Sequence, residues 1–234
     1  MTKKRKLYVA GLFYILFLAL IVLLYLVDRQ PVGEGTVIGL ATVNAWFAMA
    51  AAGLNGSWGI DGSMDLSLEL YKLTEYLGYF AILVLCVFAL IGLMQLIRRR
   101  SLKKVDREIL TMGGLFILTL ALYVFFEKVV VNCRPIVLPD ETGPSPSFPS
   151  SHTMMTIVIL GSVYMVLKKY VKQPALCAAL RVLCILLILV MVCCRFLSGC
   201  HWFTDILGGV LVSLALLALF SAVIDGADNG NQIG

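Results

Sequence analysis

The feature that most constrains this chain is a series of apolar runs that match the thickness of a lipid bilayer. A hydrocarbon layer of about 30 Å is crossed by roughly 17 to 25 apolar residues in a helix. Six runs fit this requirement: 7–27, 77–97, 109–126, 153–167, 175–194 and 206–224. The fourth run is short, but Lys168 and Lys169 can extend it by snorkelling to the membrane surface. Only 14% of the 234 residues are charged, against about a quarter in soluble domains. We therefore predict an all-α, polytopic membrane protein with six transmembrane helices in one domain, 1–234.

The apolar run 37–54 is a rival seventh span, and the basic residues decide against it. With six spans and a cytoplasmic N-terminus, 14 of the 19 Lys and Arg residues lie on the cytoplasmic side. A seventh span would place eight inside and eleven outside, against the rule that basic residues stay cytoplasmic. We predict that both termini are cytoplasmic and that 37–54 forms an extracytoplasmic interfacial helix, with Trp46 and Trp58 among the headgroups. Such a helix is either a flap over a substrate entrance or a packing element.

The charge and the cysteines exclude other classes of partner. The net charge of +5 comes largely from the predicted cytoplasmic loops, so it indicates topology and contact with anionic lipid. The seven cysteines show no metal-ligand spacing. We expect the lipid bilayer as a partner and expect no nucleic acid, metal ion or cofactor; the oligomeric state stays open.

Polar residues concentrate in three clusters at the predicted extracytoplasmic ends of the spans. Charged groups at membrane depth are costly, so each is a candidate functional residue. The clusters follow the third span, precede the fourth, and join the fifth to the sixth. Their members are, in that order, Lys128, Asn132, Arg134 and Pro135; Pro149, Ser150, Ser151 and His152; and Arg195, His201 and Asp205.

Both histidines of the chain, His152 and His201, fall in these clusters beside three cations. Phosphoryl transfer needs positive charge around the equatorial oxygens, a nucleophile and an acid for the leaving oxygen. Lys128, Arg134 and Arg195 can supply the charge. Two imidazoles that titrate near neutrality can share the nucleophile and acid roles. The clusters therefore indicate a phosphoryl-transfer site.

Two local features support this interpretation. Asp205 lies four residues after His201, one helical turn away, where a carboxylate can hold the tautomer of the imidazole. Ser150 and the backbone amides of Ser151 and His152 precede the fourth span. They form a helix N-terminus, which favours an anion such as a phosphate.

The spacing within these clusters matches three signatures of one known family. Segment 195–205 has the third signature, Arg, five residues, His, three residues, Asp. Segment 149–152 resembles the second, Pro-Ser-Gly-His, and segment 128–135 resembles the first, Lys, six residues, Arg-Pro. The chain therefore resembles the type 2 phosphatidic acid phosphatase superfamily, over roughly residues 70 to 224.

The resemblance implies a metal-independent reaction in which His201 attacks phosphorus and forms a phosphohistidine. His152 would protonate the leaving oxygen, and water would then hydrolyse the intermediate. The phosphoryl group would be bound by Lys128, Arg134, Ser150, Ser151 through its amide, His152 and Arg195.

The chain departs from the family pattern at three places. Ser151 replaces a glycine, and Cys194 replaces a serine. Only five residues separate Lys128 from Arg134, and Glu127 holds the position that would leave six. On a continuous helix this slip rotates Lys128 by about 100° from the expected face, although Pro135 favours an end of the helix near Asn132, which would absorb it.

We therefore expect a lipid phosphatase with an extracytoplasmic site. The resemblance allows phosphatidylglycerophosphate, phosphatidic acid, polyprenyl pyrophosphates and phosphorylated lipid A as substrates. A lipid phosphotransferase could use the same phosphohistidine. An anion transporter is a different class, and the gathering of the charges at one face argues against it. Two histidines could also ligate a haem, but both lie at span ends on one side.

Overall fold

The structure is a computed structural model that describes residues 1–31, 36–55, 67–138 and 141–225. Within these ranges six helices are long and apolar enough to cross a membrane, which confirms the all-α, six-span prediction. In chain order the helices are α1 (Lys3–Leu26), α2 (Ala41–Asn55), α3 (Leu68–Arg99), α4 (Arg107–Lys128), α5 (Ser151–Tyr170), α6 (Pro174–Leu197) and α7 (Phe203–Asp225). All except α2 are candidate spans. An antiparallel pair, β1 (Gln30–Pro31) and β2 (Val37–Ile38), and a 3-10 helix (Leu102–Lys104) complete the described elements.

The start of α3 differs most from the sequence-based bounds. The helix begins at Leu68, whereas the predicted span begins at residue 77. Residues 68–76 carry three charged side chains, which end the apolar run although glutamate and lysine are good helix formers. The added length of about two and a half turns brings the first part of α3 beside the predicted site residues.

Helices α5 and α7 form the centre of the bundle. In their most apolar windows 61% and 56% of the residues are buried, against 11% to 28% in the other four spans. The hydroxyl of Ser213 on α7 donates to the carbonyl of Met154 on α5 at 3.2 Å. Small residues such as serine let two helices approach closely. Close packing matters in a membrane because the lipid tails are as apolar as the helices, so apolar burial alone does not drive helices together. Helix α1 packs along α7, and α3 and α6 pack against α5.

The two ends of the bundle differ in their polar residues. We call the end that holds the first turns of α5 and α7 the site end, and the opposite end the basic end. At the basic end Lys6 of α1 pairs with Asp225 of α7, and Lys169 of α5 pairs with Glu108 of α4 at 2.5 Å. These pairs connect the helix ends across the bundle.

Helix α2 lies at the site end, packed against α6 and α7. The ring of Phe47 stacks on that of Phe203 with centroids 3.8 Å apart. Asn44 is fully buried, and its side chain bonds the hydroxyl and the backbone N–H of Thr204. Helix α2 has 15 residues, which is too short to span a bilayer. Its length is consistent with the prediction that segment 37–54 does not cross the membrane. Trp46 is 60% exposed, and Trp58 lies outside the described residues.

Candidate active site

The three predicted clusters meet at the site end through backbone hydrogen bonds. The N–H of Ser147 donates to the carbonyl of Asn132 at 2.9 Å, which joins the second cluster to the first. The N–H of Ser150 donates to the carbonyl of Asp205 at 3.0 Å, which joins the second cluster to the third. Segments far apart in the chain are therefore held together by main-chain contacts as well as by their side chains.

A pair of glycines on α7 allows this approach. A Cβ atom at position 208 would lie 2.4 Å from the ring of Phe148, and one at position 209 would lie 3.0 Å from the carbonyl oxygen of Ser150. Side chains at these two positions would push the loop before α5 away from α7. Gly208 and Gly209 therefore serve close packing between α7 and the segment before α5.

His201 lies at the centre of the site and is 3% exposed. Its Nε2 is 3.1 Å from Nη1 of Arg134. A guanidinium can only donate, so Nε2 is the acceptor and the proton of the neutral ring is on Nδ1. Burial, together with the charges of Arg134 and Arg195, holds the pKa of His201 well below its usual value. The imidazole is therefore neutral at pH 7, with the lone pair of Nε2 facing a cation.

Asp205 lies on the other side of the His201 ring. Its Oδ2 is 3.6 Å from Nδ1 of His201, just beyond hydrogen-bond length, and it accepts the backbone N–H of Trp202 at 3.0 Å. Its Oδ1 accepts from the side chain of Asn132 at 3.3 Å. Asn132, fully buried, also accepts the N–H of Gly39. These bonds fix the carboxylate, so that the segment before α2 and the first cluster both support its position.

His152 and Arg195 form a second group, next to α3. Nη2 of Arg195 lies 2.8 Å from Nδ1 of His152, so Nδ1 accepts and the ring proton is on Nε2. Nε2 in turn lies 3.2 Å from Oε2 of Glu75, and Oε1 of Glu75 accepts from Nη1 of Arg195 at 3.0 Å. The guanidinium of Arg195 is 1% exposed, and Nη1 also donates to Thr74 at 2.7 Å.

The contribution of α3 is the part of the site that the sequence interpretation missed. Tyr71, Thr74, Glu75 and Gly78 have the i, i+3, i+4, i+7 spacing of one helical face. The ring of Tyr71 faces the guanidinium of Arg195, 5.2 Å from its centroid. A Cβ at position 78 would lie 2.9 Å from Cδ2 of His152, so Gly78 makes room for the imidazole. This spacing could have indicated that α3 contributes to the site. It was missed because the predicted span began at residue 77, two residues after Glu75.

Two cavities open beside the histidines. The smaller one, about 10 Å³, is lined by residues that include Glu127, Arg134, Ser151 and His201. The larger one, about 220 Å³, is lined by Ser151 and His152 and continues between α3 and α4 to the exposed Tyr79 and Ile82. Ser151 borders both cavities, and it therefore lies between the two histidines.

The first turn of α5 supplies unpaired backbone N–H groups to this region. The first four N–H groups of any helix lack acceptors within the helix. Ser150 is the residue before α5, but its hydroxyl donates to Thr153 at 3.0 Å and makes no cap bond to the backbone. The amides of Ser151 and His152 thus receive no cap bond from Ser150, and Ser151 lines both cavities, where the helix dipole favours an anion.

Lys128 is placed differently from the other predicted phosphate-binding residues. It is the last residue of α4, it is exposed, and within the described part of the chain it makes no hydrogen bond or ion pair. Glu127 lines the small cavity beside Arg134 and His201, and Lys128 does not. Helix α4 ends at Lys128, four residues before the end expected near Asn132, so the one-residue slip falls in the non-helical segment between Lys128 and Arg134. Phosphate binding by Lys128 stays a prediction.

The described residues contain no group of three or more His, Cys, Asp or Glu side chains arranged to hold a metal ion. The chemistry available at the site is that of two imidazoles, two guanidiniums, a buried aspartate, a glutamate and backbone amides. Such a set can bind an anion, attack it with an unprotonated nitrogen and return a proton to a leaving group.

Comparisons with known proteins identify the fold and the family of the chain. Among curated protein sequences no match is found. The crystal structure described as the first transmembrane PAP2 type phosphatidylglycerolphosphate phosphatase from Bacillus subtilis superposes with a TM-score of 0.62 and 18% identity, covering 95% of this chain and 97% of that one. At that identity the likeness shows a shared fold. The sequence model of the PAP2 superfamily matches residues 108–227, about half of the chain and all three clusters. The chain therefore belongs to the PAP2 superfamily, and it is a membrane-embedded hydrolase of phosphoric monoesters.

Proposed function

We propose that this enzyme removes the phosphate of a membrane lipid through a phosphohistidine intermediate on His201, at the extracytoplasmic face. The observation that carries the proposal is the pairing of two imidazoles with opposite tautomers, that of His201 buried and that of His152 partly buried, each beside an arginine. His201 presents the unprotonated Nε2 that a nucleophile needs, and His152 carries its proton on Nε2 as an acid needs.

The first step forms a bond between Nε2 of His201 and phosphorus. Before this, His152 takes up a second proton on Nδ1 from the phosphate monoanion of the substrate, as Arg195 turns to the phosphoryl oxygens, because only the imidazolium is acidic enough to act as the general acid. As the new bond forms, the bond from phosphorus to the lipid oxygen breaks, and the oxygen takes the Nε2 proton of the His152 imidazolium, which becomes neutral. Asp205, 3.6 Å from Nδ1 of His201, stabilises the positive charge that develops on the phosphorylated ring. Arg134, Arg195 and the first amides of α5 neutralise the equatorial oxygens.

The second step uses water. His152, now without its Nε2 proton, accepts a proton from a water molecule whose oxygen attacks phosphorus. The phosphorus–nitrogen bond breaks, and the departing phosphate carries away the Nδ1 proton of the His152 imidazolium. Both histidines thereby return to their starting neutral tautomers. A lipid alcohol in place of water would give phosphotransfer, so the product identifies the acceptor.

A lipid substrate is supported by the route to the site. The 220 Å³ cavity beside His152 reaches Tyr79 and Ile82 on the exposed faces of the spans. His152 protonates the leaving oxygen in this scheme, so the lipid part of the substrate lies on that side. Phosphatidylglycerophosphate is the first candidate because the superposed Bacillus subtilis structure is described as a phosphatase of that lipid; phosphatidic acid and polyprenyl pyrophosphates follow.

The proposed orientation depends on the basic residues. Arg98, Arg99, Lys168 and Lys172 all belong to the last turns of α3 and α5 or to the loops after them, opposite the site. Basic residues stay on the cytoplasmic side of a membrane. In reconstituted vesicles of known protein orientation, lipid phosphate confined to the outer leaflet should be hydrolysed only by molecules whose site end faces outward.

The central experiment measures phosphate release by detergent-solubilised protein in EDTA from a panel of lipid phosphates and pyrophosphates. We expect release in EDTA, acid-labile radiolabel on the wild-type protein after a rapid quench, and neither in His201→Ala. Asp106→Asn, a carboxylate substitution at the basic end, is the matched control and should keep full activity. Full activity of a folded His201→Ala protein would refute the mechanism.

A further inference from the structure

Glu75 is the charged residue of the site that lies outside all three signatures, and it holds two groups that the reaction needs. Its Oε1 accepts from Nη1 of Arg195 at 3.0 Å, and its Oε2 lies 3.2 Å from Nε2 of His152. Arg195 is a proposed phosphate ligand, and the proton on Nε2 of His152 is the one proposed to reach the leaving oxygen. In this structure one carboxylate engages both groups.

The charge of Arg195 explains why a carboxylate is there. The guanidinium is 1% exposed, and a buried cation without a counter-charge is strongly destabilising. Among the described residues Glu75 is the acidic residue paired with it. Without a ligand, the site therefore depends on Glu75 for charge balance.

A bound phosphoryl group changes that balance. It brings about 1.5 to 2 negative charges to a guanidinium whose terminal nitrogens are already shared among Thr74, Glu75 and His152. The Nε of Arg195 is buried without a protein acceptor in the described part of the chain. Two anions on one buried cation repel each other, and the leaving oxygen needs the Nε2 proton of His152 that now points to Glu75.

Of the three side chains Glu75, His152 and Arg195, the one that can move away from the other two is that of Glu75. Arg195 is held by Thr74 at 2.7 Å and by the ring of Tyr71, and His152 lies against Gly78. The side chain of Glu75 is 23% exposed, whereas that of Arg195 is 1% exposed. The side chain of His152 is 27% exposed, but its ring is confined by α3 at Gly78. A rotation of the glutamate side chain moves its carboxylate without displacing either partner.

We propose that Glu75 is a resident counter-anion, whose carboxylate occupies Arg195 and His152 in the empty site and is displaced by the phosphoryl group. The proposal rests on the proposed function, which places the phosphoryl group on Arg195. Return of the carboxylate after hydrolysis competes with inorganic phosphate for Arg195 and so favours product release. Glu75 thereby lowers the affinity of the site both for the phosphoryl group of the substrate and for the inorganic phosphate product.

The test is the affinity of the solubilised protein for inorganic phosphate, measured by titration calorimetry and by the rise in thermal unfolding temperature with phosphate. Glu75→Gln keeps the shape and removes the charge. We expect it to bind phosphate at least about tenfold more tightly than wild type, because a like charge within about 6 Å is removed at low effective dielectric. Glu69→Gln, an exposed glutamate on the same helix, should change the affinity by less than about twofold.

Equal or weaker phosphate binding by Glu75→Gln would overturn the proposal, since a residue that only orients Arg195 and His152 gives that result. If neither protein binds phosphate, the proposed function fails and this inference fails with it. If Glu75→Gln does not fold, a wild-type structure with bound orthovanadate decides. Separation of Oε1 of Glu75 from Arg195 beyond hydrogen-bond distance supports displacement, and retention of the 3.0 Å contact refutes it.

Discussion

The two ends of the helix bundle hold similar charged groups in very different surroundings. At the site end Arg195 and Asp205 are 1% and 0% exposed. At the basic end the side chains of Arg99 and Lys169 are 43% and 42% exposed. An exposed ion pair contributes about 0 to 1 kcal/mol, whereas removal of one member of a buried pair costs about 3 to 5 kcal/mol. Burial, more than the number of charges, therefore determines which end is sensitive to substitution.

The two ends also keep different charge states, because the titrating group at one end is ionised and that at the other is neutral. Asp106 at the basic end is partly buried, which alone would raise its pKa, but hydrogen bonds from Arg99 and Gln95 hold that pKa below its usual value. Its carboxylate stays charged. At the site end burial and neighbouring cations lower the pKa of His201, so its imidazole stays uncharged. One end keeps a charged carboxylate for ion pairs, and the other keeps an uncharged imidazole, which the proposed nucleophile requires.

The largest difference between the ends should appear on removal of one carboxylate charge. We expect Asp205→Asn to lower kcat by about 10² to 10⁴, because the amide no longer stabilises the positive ring of His201 or fixes its tautomer. Asp106→Asn, the same change at the basic end, should leave kcat within about twofold. Steady-state phosphate release measures both, and equal effects of the two substitutions would show that burial is not the controlling factor.

A smaller difference should appear in the pH dependence of stability. The pKa of His201 is lowered in the folded protein, so the unfolded chain takes up this proton first as the pH falls through about 6.5. The neutral His201 therefore stabilises the folded protein above that pH. On acidification the free energy of unfolding falls by up to about 1.4 kcal/mol per pH unit, until the pKa of His201 in the folded protein is reached.

Thermal unfolding of wild type and His201→Gln between pH 8 and pH 5 measures this effect, with His152 present in both proteins. The wild-type unfolding temperature should fall more steeply below pH 6.5. Parallel curves would mean that the buried environment of His201 does not disfavour its charged form.

The smallest effect is expected for Lys169→Met at the basic end. Lys169 lies 2.5 Å from Glu108 and 3.6 Å from Asp106, and all three side chains reach solvent. We expect a loss of at most about 1 kcal/mol of stability, decreasing with added salt, and no change in activity. A large loss of activity would show that the two ends are coupled through α5.

Much of the fold followed from hydropathy, because a bilayer sets both the length and the composition of its spans. The six apolar runs became α1 and α3 to α7, and the run at 37–54 became α2. The short fourth run lengthened to 20 residues by including both lysines in its last turn, where cations favour the negative end of the helix dipole. The small pair β1 and β2 gave no signal, because two-residue strands carry no periodicity.

The site was predictable where the chain keeps a local pattern. His152, Arg195, His201 and Asp205 were assigned from spacing, and the structure brings them together with Arg134. Glu75 was missed because hydropathy ends a span at the first charges, while the helix continues through them. Asn132 was included in the first cluster, but neither its partners nor the buried Asn44 of α2 could be assigned, because an uncharged polar residue gives no sign of what it will contact across the fold.

The length of α3 has a consequence for the depth of the site in the membrane. Its last turn carries Arg98 and Arg99, which mark one surface of the bilayer. At 1.5 Å per residue, about 20 residues cover the hydrocarbon layer of about 30 Å, which places the opposite boundary close to Gly78. Glu75 and Thr74 then lie one turn beyond it, at the level of the lipid phosphates. The length of α3 thus sets the depth of the site. In the proposed reaction this depth lets a lipid present its phosphate to Arg195 while its acyl chains remain among the other lipids.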